Sequence, residues 1–224
     1  MAFWHGLKAM APLWLGIIPF GMAYAVTARS AGLSLLETQL MSLVVFAGGA
    51  QFSAAGLFSI GAGSLSLVLT TFLINVRHFL YGLTLEPRLK LSRLEKIVGA
   101  YFLTDEAFGV TIASGKRSFA FLLGAELSVF FLWNASTLLG SLLSRAVPDP
   151  QTLGVDFIFP LTFLALLIPL IKERVDLTVA VFSGALALAA SQWINAGLTI
   201  LVEGVLGSLI GALWTGRAEG GRRA

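Results

Sequence analysis

Four groups of polar residues interrupt stretches that are otherwise apolar, and their types define the chemistry on offer. Gly48 and Gly49, followed by Gln51, come first. Paired glycines weaken a helix and expose backbone amides, which suit a substrate carboxylate or a coupling ion. The alternative is close helix packing through small residues, with Gln51 as an interhelical hydrogen bond. Asn75, Arg77, His78 and Tyr81 form the second group. Their spacing puts Asn75 and His78 on one helix face with Tyr81 a turn further on, and points Arg77 elsewhere. Arg77 either belongs to a site or snorkels toward the interface near Glu86. His78 either carries protons near neutral pH or hydrogen-bonds a carbonyl.

Thr104-Asp105-Glu106 is the third group. Adjacent carboxylates on a helix diverge by about 100°, so they cannot both serve one ligand through one face. Either the segment is unwound there, or one carboxylate pairs with a cation such as Arg77 while the other faces a pathway. Thr104 also reads as a helix N-cap followed by acidic residues in the first turn. Glu126, Asn134 and Glu203 make a fourth, structural group, the last followed by Gly204, Gly207 and Gly211 in a helix-packing pattern. An ionisable side chain at bilayer depth costs about 2.5–3.5 kcal/mol, so each such residue is a functional candidate.

The elements that must hold these groups are membrane helices. Of 224 residues, 57% are hydrophobic and 12% charged, and the mean hydropathy is +0.87. That composition excludes a soluble enzyme, a disordered tail and a nucleic-acid binder. The chain has no cysteine and two histidines, so thiol chemistry, a metal site and any other cofactor are not expected. Apolar stretches fall at 10–28, 39–60, 65–85, 97–113, 119–142, 155–171, 176–191 and 196–215, within one integral membrane domain over 1–224. The start of the chain imitates a cleavable signal peptide, but Pro12, Pro19 and Gly21 suit a retained, kinked first span.

Eight crossings would spread the basic residues almost evenly. If 97–113 instead enters and returns on one side, every Lys and Arg in the joints except Lys8 and Arg145 shares a compartment. The positive-inside rule prefers that arrangement. The expected fold is an all-α polytopic membrane protein of about seven transmembrane helices plus one re-entrant or broken helix, eight spans being the alternative. Its amino terminus is expected outside and its carboxyl terminus in the cytoplasm. The glycine-interrupted stretches 39–60 and 196–215 are candidate counterparts in an internal repeat.

Gly-Gly-Ala-Gln-Phe at 48–52, Asn-Val-Arg-His-Phe-Leu-Tyr-Gly at 75–82 and Thr-Asp-Glu-Ala-Phe at 104–108, in that order, resemble the AzlC-type large subunit of bacterial branched-chain amino acid exporters. The resemblance implies a two-component exporter of the bacterial cytoplasmic membrane, with a small hydrophobic AzlD-type subunit as partner. It implies efflux of leucine, isoleucine or valine, or of methionine and analogues, rather than an enzymatic activity. In this reading Gly48, Gly49, Gln51, Asn75, Arg77, Tyr81, Asp105 and Glu106 bind substrate. The carboxylate goes to the Gly48-Gly49 amides with Gln51, or to Arg77, and the ammonium goes to Asp105 or Glu106. Proton coupling falls to His78, Asp105 or Glu106, because the chain lacks a phosphate-binding Gly-x-x-x-x-Gly-Lys-[Ser/Thr] loop. The rival readings are a channel and a non-transporting assembly subunit; an intramembrane hydrolase lacks its motifs.

Overall fold

A computed structural model describes residues 1–144, 164, 167, 168, 171–194, 202, 206, 207 and 209–211. The chain divides into two compact units, Met1–Leu167 and Ile168–Ala224. Every element of the first unit given below is helical: α1 (Ala2–Ala9), α2 (Ala11–Ser30), α3 (Leu35–Val44), α4 (Gly48–Ser59), α5 (Ser64–Asn75), α6 (Arg77–Leu89), α7 (Arg93–Phe102), α8 (Asp105–Ser114) and α9 (Phe119–Leu143). Among the described residues, three helical stretches are long and apolar enough to cross a membrane: α2, the run of α5 into α6 over Ser64–Leu89, and α9. At about 1.5 Å per residue each is at least as long as the roughly 30 Å hydrocarbon core.

The remaining five helices are short, α1 with 8 residues the shortest. α3, α7 and α8 have 10 residues each and α4 has 12, about 15–18 Å and so half of a bilayer. They form two hairpins. α3 starts just after α2 ends, and α4 returns to the same place, where Phe58 lies against Gly32. α7 starts just after α6 ends, and the segment after α8 returns to it: Gly115, Lys116 and Arg117 border the same small cavity as Leu85, Arg88 and Leu89. The hairpins therefore enter the bundle from opposite ends.

Both begin alike. Ser34 and Ser92 are N-caps whose side chains accept from the amides of Glu37 and Glu95, and each glutamate accepts in return from the serine amide. These hydrogen bonds hold both carboxyls below the usual carboxylate range. The outer helix of each hairpin thus starts on the same Ser-x-x-Glu capping box. The structural counterpart of α3–α4 is α7–α8; the 196–215 stretch lies mostly outside the described residues.

α9 is the post on which both hairpins lean. It runs parallel to α2: Trp14 Nε1 donates to Ser128 Oγ at 2.9 Å, Gly21 faces Trp133 and Ser136, and Gly140 faces Met22 and Ala25. Where α1 crosses the first turns of α9, Gly6 and Gly124 let backbone meet backbone. A Cβ at Gly6 would lie 1.9 Å from the Phe121 carbonyl oxygen, and one at Gly124 would lie 2.1 Å from that of Phe3. Ala23, Tyr24 and Ala25 of α2 are buried in this core.

The broken 97–113 segment agrees with expectation; the 39–60 stretch, expected as one crossing, is two helices that return. Its length equals that of a span, and hydropathy does not distinguish a span from two half-length helices. A second hairpin moves Lys8 to the end that carries Arg88, Lys90, Arg93, Lys96, Lys116 and Arg117, and puts Arg29 at the other. The charge asymmetry survives, but the amino terminus now shares the basic end, opposite to the side expected for it.

In the second unit α10 (Arg174–Ala190) follows Glu173, whose amide, like that of Lys172, donates to Asp176. These bonds keep the Asp176 carboxyl low. Gly207 and Gly211 approach Ser183 and Val179 on α10 closely enough that a Cβ at Gly207 would lie 2.2 Å from Ser183 Oγ, as the glycine pattern suggested. Glu203 and the 155–171 stretch lie outside the described residues, apart from single positions in that stretch.

Candidate functional site

The apices of the two hairpins meet inside the first unit. Each is a short break in helical backbone where a new helix begins. Between α3 and α4, Phe46 takes φ +42 and Ala47 is extended. A bulky residue adopts that left-handed conformation only when its surroundings hold it, and here the Phe46 ring packs edge-on against Phe130 at 5.0 Å. Between α7 and α8, Leu103 and Thr104 are extended, and Thr104 Oγ1 accepts from the Ala107 amide at 3.3 Å. Tyr101, near the end of α7, donates its hydroxyl to the Leu43 carbonyl near the end of α3 and ties one apex to the other.

The inner helices α4 and α8 both begin at this meeting point. Aligned peptide dipoles leave partial positive charge at a helix amino terminus. Asp105 and Glu106 supply the complement in the first turn of α8, whereas α4 has no side-chain cap and opens on the bare amides of Gly48 and Gly49. Space at Gly48 is tight: a Cβ there would lie 3.0 Å from Trp133 and 3.2 Å from Phe20, so these rings would have to shift by a few tenths of an ångström.

α5 gives way to α6 at Val76, whose backbone stays helical, and Arg77 stands at the start of α6. Arg77 is only 8% exposed, and its guanidinium meets Asp105 at 2.8 Å. Tyr81 donates its hydroxyl to the same carboxylate at 2.5 Å and stacks on Phe108. Arg77 and Tyr81 are one turn apart and share a face, so Arg77 lies with Tyr81 rather than off its stripe, and it does not snorkel. The Arg77–Tyr81 spacing was the available signal. His78 Nδ1 pairs with the Asn75 backbone carbonyl at 3.0 Å, so this link is to the Asn75 main chain, while Asn75 Oδ1 and Arg77 Nε are buried without partners.

Around the apices lies a small cavity of about 20 Å³, bordered by Ala47, Gly48, Gly49, His78, Asp105 and Glu106 together with Phe20, Phe46, Thr104, Val129 and Trp133. That is room for about one water molecule, not for an amino acid. Asp105 is committed to Arg77 and Tyr81, and Glu106 borders the cavity.

Gln51 is not free to meet a ligand. Its Nε2 donates to Ser42 Oγ at 2.9 Å, its Oε1 accepts from Trp133 Nε1 at 3.0 Å, and it is fully buried. Ser42 Oγ in turn lies 2.8 Å from Thr137 Oγ1. This chain clamps both limbs of the first hairpin to α9, and Gln39, bonded to Asn134 at 2.9 Å, adds another tie. Glu126 is fully buried with both carboxyl oxygens unpartnered, apart from the central cavity. Among the described residues, no group of three or more His, Cys, Asp or Glu side chains is arranged to hold a metal ion.

Comparison with known proteins places this geometry in context. The family profile described as AzlC protein matches residues 12–147, which span α2 to α9. A membrane protein of Archaeoglobus fulgidus is 33% identical over 96% of this chain and 95% of its own length. The inner membrane protein YgaZ of Escherichia coli is 29% identical over 97% of this chain and 94% of its own. The branched-chain amino acid transport protein AzlC of Bacillus subtilis is 25% identical over 75% of this chain and 67% of its own. No solved structure matches.

Proposed function

The chain belongs to the AzlC family, and from that premise we propose that it is the transporting subunit of a secondary amino acid exporter in the bacterial cytoplasmic membrane. One observation carries the proposal: a buried Arg77–Asp105 pair, 2.8 Å apart, where three helices begin around a small cavity. Paired opposite charges beside bare helix amides suit a zwitterion. The substrate carboxylate meets the Gly48 and Gly49 amides or Arg77, and its ammonium meets Asp105 or Glu106. The name of the Bacillus subtilis relative favours a branched-chain amino acid.

The cavity holds no substrate-sized space, so transport requires the hairpin apices to part. Hairpins that enter from opposite ends supply one movable wall toward each side, as alternating access demands. The basic end faces the cytoplasm by the positive-inside rule, which puts the amino terminus there; a cytoplasmic carboxyl terminus is also proposed. Proton coupling through Glu106, Asp105 or His78 supplies the driving force, and a small hydrophobic AzlD-type subunit completes the exporter.

Opposed hairpins also suit a channel, and one preparation separates the two readings. Vesicles carrying this chain with and without the small subunit should show saturable leucine counterflow, and net export that collapses with the proton gradient. Unsaturable flux would favour the channel; export indifferent to the gradient would remove proton coupling.

A further inference from the structure

Between α6 and α7 lies a second, much larger cavity, about 500 Å³ in volume. That falls within the roughly 300–1,000 Å³ of small-molecule sites. Its walls are apolar: Phe79, Leu83 and Leu85 from α6, Leu103 after α7, and Leu122 from α9. Two glycines keep it open. Gly82 has no atom within 4 Å of where its Cβ would stand, and Gly99 borders the same space.

The polar groups lie at its two ends. At the outer end Lys96 Nζ meets Glu86 Oε1 at 2.8 Å, and both side chains are about half exposed, at 47% and 53%. At the inner end stands His78, which also borders the central cavity. Glu86, Leu91 and Lys96 line this larger cavity where α6 gives way to α7, the end of the bundle that also carries Arg88, Lys90 and Arg93.

We propose that this cavity is a loading site for an aliphatic α-amino acid, occupied before the substrate reaches Arg77 and Asp105. An exposed ion pair is weak and readily exchanged. A zwitterion can insert between its members, carboxylate to Lys96 and ammonium to Glu86, while its side chain enters the Leu and Phe wall. An anionic lipid would find the lysine but meet the glutamate as a like charge. His78 is then the partition between the loading site and the central site. The inference rests on the export reading, because the basic, cytoplasmic end is the loading side only for an exporter.

The experiment is equilibrium binding of radiolabelled leucine to the full chain in lipid nanodiscs, beside transport in vesicles. Gly82→Leu puts a bulky side chain into the cavity from a position where a Cβ has no atom within 4 Å, and Lys96→Gln removes the carboxylate partner from an exposed position. Each should weaken leucine binding at least 10-fold and raise the transport KM by a similar factor, and glycine should bind at least 10-fold more weakly than leucine. Asp105→Asn should abolish transport yet keep leucine bound. Unchanged leucine affinity in both Gly82→Leu and Lys96→Gln would overturn the loading site. Loss of all binding in a folded Asp105→Asn protein would also overturn it, since leucine would then bind only at the central pair. Native transport by Asp105→Asn would instead refute the central site, while the cavity is still judged by the binding of its own variants.

Discussion

Arg77, Asp105 and Tyr81 form a unit whose members do not tolerate removal equally. Asp105→Asn leaves a buried guanidinium uncompensated, and breaking such a pair costs about 3–5 kcal/mol. Tyr81→Phe removes one hydrogen bond to a charged group, worth about 1.5–3 kcal/mol, and should slow transport roughly 10-fold with the fold intact. Thermal unfolding in detergent should rank them accordingly, with Asp105→Asn the less stable. Glu126 predicts the opposite sign. A fully buried carboxyl without partners is a burden of about 1–3 kcal/mol, so Glu126→Leu should raise the unfolding temperature; a fall would show that a partner is engaged. The sequence offered a pairing of Arg77 with one of the two adjacent carboxylates as an alternative, because an intramembrane arginine needs an anion and few are available; that the partner is Asp105 came from the structure. It did not reveal the commitment of Gln51, whose partner Trp133 is 82 residues away.

At the scale of the element, the half-length helices depend on their first turns. Ser34→Ala and Ser92→Ala each remove an N-cap worth about 1 kcal/mol, and hydrogen exchange should accelerate at the first amides of α3 and α7 respectively. The Glu37 and Glu95 carboxyls are held low by these caps. Their contribution is therefore complete above the ordinary glutamate range and is lost as pH falls through the lowered folded value. Protection of both turns, measured as exchange relative to the intrinsic rate at each pH, should fall on acidification, and that fall should be absent in Glu37→Gln and Glu95→Gln. Packing of α1 on α9 makes a harsher demand. Gly124→Ala would put a methyl group 2.1 Å from the Phe3 carbonyl oxygen, so it should lower the unfolding temperature sharply where Gly82→Ala does not. The break at Thr104 was legible from its cap and carboxylates. Gly48 and Gly49 announced an interruption, but not a return, because two half-length helices in sequence carry the same apolar signal as one span.

For the molecule as a whole, two inverted hairpins braced on α9 predict a definite topology. The chain has no cysteine, so single cysteines report without background. Substitutions at Gly32 and Gly61 should label from one side of the membrane, and substitutions at Lys90 and Lys116 from the other. Labelling of positions 32 and 61 from opposite sides would make α3–α4 a crossing. Charge counting found the asymmetry but assigned the amino terminus to the wrong end relative to it, since the second hairpin exchanges Lys8 and Arg29 and leaves the balance unchanged. The claim on which all else depends is that the meeting point of the hairpins is where substrate binds. Leucine counterflow by Asp105→Asn, inserted in vesicles to the native level, tests it directly: the account predicts a loss of at least 100-fold, and native counterflow would contradict it.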